Sequence, residues 1–73
     1  MTAATLERAR EVRPRVAALL AELPELVGVG VTFLGDGFAV KVNFRRMPES
    51  CEIPAEVDGV PLVVEVVGSI RAG

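Results

Sequence analysis

The sequence predicts a single small α+β domain, an N-terminal amphipathic helix packed on a three-stranded, mainly antiparallel sheet with room for a short fourth strand. Three observations carry this reading. Apolar residues recur at steps of three and four as far as Leu23, they alternate in twos from Leu26 onward, and Gly/Asp pairs punctuate the second half of the chain. At 73 residues the chain has room for one domain, close to the lower size at which a core holds without disulfides or metal.

From Thr2 to Leu23 the residues Leu6, Ala9, Val12, Val16, Leu19 and Leu23 fall on one helical face. Thr2 or Thr5 is placed to cap the helix, Glu7 sits near the positive end of its dipole, and Glu11 and Arg15 have the spacing of a favourable i,i+4 pair. Pro24 is expected to end it. Pro14 removes one backbone hydrogen bond and its ring crowds the carbonyl of Arg10. It either kinks one continuous helix, the reading we favour, or stands at the first position of a second helix.

Leu26–Leu34 follows as a strand in which Val27, Val29, Val31 and Phe33 form an apolar face. Gly35-Asp36-Gly37 supplies the positive-φ residues of a tight hairpin, and Phe38–Arg45 returns with Phe38, Val40, Val42 and Phe44 toward the core and Lys41, Asn43 and Arg45 away from it. Residues 46–56 contain Pro48 and Pro54 and no periodicity, and read as a surface connection with a short extended piece around Ile53 to Val57. Asp58-Gly59 is a second turn, and Val60–Val67 a further strand, apolar on both faces apart from Glu65, with Pro61 tolerable only near its start. A strand of that kind usually has something covering both sides. Gly68 is expected to end it, before a short tail at 69–73. Order within the sheet stays open: the last strand pairs antiparallel with the second or parallel with the first.

Composition narrows the function classes. Half the chain is apolar (51%) and the mean hydropathy is +0.45, more than so short a chain can bury, so part of that surface is expected to meet another chain, most simply a second copy. A net charge of −2 and a pI near 5.0 give no footprint for nucleic acid or an acidic membrane. No run approaches the roughly 18 apolar residues of a membrane span, and the N-terminus lacks the pattern of a secretory signal. Cys51 is the single cysteine and there is no histidine, which excludes an intrachain disulfide and the usual zinc-ligand spacings. The expectation is a bacterial cytoplasmic protein without a cofactor.

Individual residues support no chemistry of their own. Gly28 and Gly30 do not form a dinucleotide fingerprint, because Phe33 stands where its third glycine belongs and a hairpin follows instead of a helix. They either leave a flat backbone strip that another strand, helix or ligand approaches closely, or are merely tolerated by the strand. Cys51 lies between Glu49 and Glu52 with no base at hand, so an inert thiol is expected; Ser50 and Ser69 likewise lack a histidine. Glu49, Glu52, Glu56 and Asp58 crowd the connection without the pattern of a calcium loop and read as a solvated acidic segment. Lys41, Arg45 and Arg46 form a small basic cluster, and Arg8, Arg10, Arg13 and Arg15 lie on the helix. The three phenylalanines fall on the opposite, core-facing side, which argues against a base-stacking surface. The expected interface is the sheet face bearing Gly28, Gly30, Lys41, Asn43, Arg45 and Glu65, or an unpaired strand edge.

The stretches Leu23-Pro24-Glu25-Leu26-Val27-Gly28-Val29-Gly30-Val31 and Pro54-Ala55-Glu56-Val57-Asp58-Gly59-Val60-Pro61-Leu62 also carry a resemblance. Together with the helix before them, they resemble the small N-terminal segment that precedes the catalytic domain in some bacterial trypsin-like serine peptidase homologues, across most of residues 15–72. The resemblance implies a non-catalytic accessory module, since the peptidase's serine, histidine and aspartate belong to a following domain. Three functions are therefore expected in order: a protein-interaction or assembly module that is homo-oligomeric, a regulator or inhibitor of a separately encoded peptidase, and a site formed only between protomers from Glu65 or the Glu49–Asp58 loop.

Overall fold

The computed structural model describes residues 4–48 and 53–67. Among them the chain forms helix α1 (Leu6–Leu19) and strands β1 (Leu26–Leu34), β2 (Gly37–Phe44), β3 (Glu56–Val57) and β4 (Val60–Val66). The strands make one mixed sheet in the order β1-β2-β4-β3, and α1 packs on it, mainly over β1 and β2. The described residues thus form a small α+β domain with four strands.

The helix begins where its apolar stripe does, at Leu6, but ends at Leu19 and does not run on to Pro24. Thr5 is extended, with φ −73° and ψ 161°, and its hydroxyl oxygen accepts the N–H of Arg8 at 3.2 Å, so Thr5 is the cap. The alternative cap, Thr2, lies outside the described residues. Pro14 falls inside a single helix, on its exposed side, where its missing N–H costs one backbone bond without disturbing the packed face. That face is Ala9, Val12, Val16 and Leu20. Leu19, expected on the stripe, is 60% exposed, because the turn after Val16 brings the residue four positions on, Leu20, to the sheet. The expected Glu11–Arg15 pair does not form. Glu11 accepts instead from Arg8 at 3.2 Å, and Arg15 reaches across to Asp58 at 2.6 Å.

The hairpin follows the predicted period with two corrections. Gly35 has φ +58° and Asp36 does not, the pattern of a type II′ turn, whereas Gly37 has an ordinary strand backbone. Pairing runs from Leu34↔Gly37 through Val31↔Val40 to Gly28↔Asn43, then shifts at a bulge, so that Leu26 and not Val27 lies opposite Phe44 and packs on the core. Val27 is left 55% exposed. Phe33, at the far end, is 78% exposed, with its ring 4.8 Å from that of Phe38.

Beyond β2 the topology takes neither of the two arrangements left open. β4 pairs parallel with β2, from Val40↔Leu62 to Phe44↔Val66. The reason lies in the connection: residues 45–59 meet the dozen or so residues a parallel crossover needs, enough to return the chain to the start of β2. Asp58 (φ 51°) and Gly59 (φ 80°) then make a turn with both central residues at positive φ, and β3 pairs antiparallel with the first residues of β4. Pro61 is tolerated near the start of β4 for a specific reason. It stands before Leu62, the first β4 residue paired with β2, and at that end of β2 the carbonyl of Phe38 accepts the N–H of Ala4 at 2.9 Å. The core is Ala9, Val12, Val16 and Leu20 against Val40, Val42, Phe44 and Val60, all essentially without solvent contact. β2 is buried along its inward face because it is central. β4, expected to be covered on both faces, is covered only at its start: Val64 and Val66 are 36% and 48% exposed.

Candidate interaction surface

Alternation in β1 and β2 turns Gly28, Gly30 and Thr32, and with them Lys41 and Asn43, to the face away from the helix. The β2–β4 register adds Glu65, opposite Asn43, and its carboxylate accepts from Lys41 Nζ at 2.8 Å. The structure therefore places Gly28, Gly30, Lys41, Asn43 and Glu65 on one patch. Arg45 stands apart at its rim: it follows the last residue of β2, its backbone N–H donates to the carbonyl of Glu25 at 2.8 Å, and its side chain is exposed. A Cβ added at Gly28 or Gly30 would meet nothing within 4 Å, so this part of the sheet is a flat strip with open space above it. At its middle the Oδ1 atom of Asn43 is buried and accepts no hydrogen bond from the described residues.

The carboxylates suggested as an acidic cluster do not converge. Asp58 is held by Arg15 and its carbonyl accepts from Arg8 at 3.0 Å, which ties the β3–β4 turn to the helix. Glu56 is exposed on β3, and among the described residues no three Cys, Asp or Glu side chains are grouped to hold a metal ion. Glu49, Ser50, Cys51, Glu52, Gly68 and Ser69 lie outside the described residues. An open depression of about 590 Å³ lies between Ala4-Thr5-Leu6 and the hairpin turn Leu34–Phe38. Asp36 is its one ionisable lining residue, and the Thr5 hydroxyl there is already engaged in the helix cap. No described helix is long and apolar enough to cross a membrane.

Sequence reasoning expected an unpaired strand edge as one possible interface but did not say which strands carry it. Of seven large apolar side chains exposed among the described residues, Val27, Phe33 and Leu34 lie on β1 and Val64 and Val66 on β4, the two strands that flank β2. The signal was present for β1, since Leu26–Leu34 has neither a charge nor a proline, the usual protections of an edge. No protein-family model matches the chain, and no curated protein or solved structure is similar to it.

Proposed function

We propose that the protein is a small, non-catalytic, cytoplasmic assembly module that associates with a second copy of itself. The observation that supports this reading is the placement of exposed apolar surface: five of the seven large apolar side chains exposed among the described residues sit on β1 and β4. Scattered exposed apolar residues are ordinary on a monomer, whereas their concentration along sheet strands with free hydrogen-bonding edges is the arrangement that strand addition uses. Two of the described carboxylates have a structural use for their charge, Glu65 with Lys41 on the patch and Asp58 with Arg15 on the helix. Size-exclusion chromatography with light scattering over a dilution series tests the proposal. A mass of twice the chain at high concentration, falling on dilution, is expected; one chain mass throughout would overturn it.

A further inference from the structure

Resting on the self-association reading, we infer where and in what register the second copy docks: on the outer edge of β1, antiparallel, with Val31 opposite Val31 of the other copy. The orientation of the backbone leads to this. Phe38 exchanges both its N–H and its C=O with Ala4, on the side away from β1, so its β1 neighbour Phe33 must turn its own groups outward. By alternation Val29 and Val31 do the same. None of the three finds a partner strand on that side among the described residues. β1 therefore offers six outward backbone groups in register along one edge.

The second copy is favoured over an unrelated partner because this edge is complementary to itself. A two-fold axis through the pairing sets each strand antiparallel to its counterpart, and Leu26–Leu34 contains no charge that would meet its own image. The outer edge of β4 lacks that property. Its first residues are taken by β3, and self-pairing through the outward groups of Val64 and Val66 would set Glu65 against Glu65. Among symmetric registers on β1, centring on Val31 engages Val29, Val31 and Phe33 of both copies. Centring one residue either way leaves Phe33 or Val29 without its match. The Val31 register also places the exposed Phe33 beside Val29 of the other copy, an aromatic against a β-branched residue, and sets Thr32 opposite Gly30, where open space replaces a side chain. The result is a continuous eight-stranded sheet across the axis.

Disulfide trapping reads the register directly. Two variants are made, Gly30→Cys and Thr32→Cys, each with Cys51→Ser so that no other thiol is present. Gly30 has room for the added side chain, and residues 30 and 32 of opposing copies form a directly facing pair within disulfide reach, while 30 with 30 and 32 with 32 are diagonal and too far apart. Mild oxidation of the mixture is expected to give a covalent dimer, and of either variant alone only monomer. In parallel, Phe33→Lys is expected to abolish the dimer seen by light scattering, and Val66→Lys to leave it intact, both with unchanged far-UV circular dichroism. A dimer that gives no mixture-specific cross-link, or that is lost with Val66→Lys and kept with Phe33→Lys, overturns the β1 assignment while the self-association reading stands. A wild-type chain that is monomeric at every concentration overturns both.

Discussion

Asp58 takes part in a turn, an ion pair and a helix contact at once. Its backbone sits at φ 51°, a region that Asp and Asn enter more readily than other side chains, its carboxylate meets Arg15 and its carbonyl accepts from Arg8. These contributions can be separated. Asp58→Asn keeps the turn preference and removes the ion pair, so an exposed pair of this kind predicts a loss of only about 0.2–1 kcal/mol in urea denaturation. Gly59→Val, at φ 80°, forces a β-branched residue into the left-handed region and is expected to cost roughly 1–2 kcal/mol or more. If the two substitutions cost the same, the turn does not depend on the backbone conformation described here. The turn itself could be read from the Asp-Gly pair. The reach of Arg15 could not, because the sequence offered it Glu11 four residues away and gave no sign that Asp58 would stand closer.

At the level of elements, the helix shows what periodicity can and cannot say. Ala9, Val12 and Val16 were legible as core, but Leu19 and Leu20 follow one another and only the end of the helix decides between them. Pro14 was legible as a defect and is one: removing it restores a backbone donor for the carbonyl of Arg10 on an exposed face. Pro14→Ala is therefore expected to stabilise the protein, by up to about 3 kcal/mol, seen as a higher melting temperature with an unchanged fold. An unchanged or lower melting temperature would mean that the proline is relieved by a distortion of the helix. The candidate patch was partly legible for the same reason as the strands. Gly28, Gly30, Lys41 and Asn43 share a face because the bulge falls before Gly28, leaving period two undisturbed from there onward. Glu65 joins them only through the β2–β4 register, which is set by the crossover and has no local signature. Val27 was misread because nothing in Leu26-Val27-Gly28 announces the extra residue.

For the whole molecule the relevant fact is how little core there is. Among the described residues Phe44 is the largest wholly buried side chain, lying against a cluster otherwise built mostly of valines and small residues. At typical values of 0.05–0.15 kcal/mol per residue, 73 residues give a total stability of roughly 4–11 kcal/mol. Phe44→Ala, at about 3–5 kcal/mol, is expected to remove a large share of it and, where the total lies at the lower end of its range, to collapse the amide dispersion in a proton–nitrogen spectrum. A well-dispersed spectrum from this variant would show that the cluster repacks. Self-association would add to this margin by mass action, so the melting temperature of the wild-type chain is expected to rise with protein concentration, and a melting temperature independent of concentration would count against a dimer.

The alternation of backbone direction along β1 has a consequence in isotope labelling. Gly28, Gly30, Thr32 and Leu34 turn their amides inward to β2, while Val29, Val31 and Phe33 turn theirs outward, so consecutive residues of one strand report on two different events. In a lone subunit the first set exchanges deuterium slowly and the second as fast as an open chain. If two copies associate through β1, the two sets are expected to become alike and dilution to separate them again, residue by residue, from a single strand of nine amino acids.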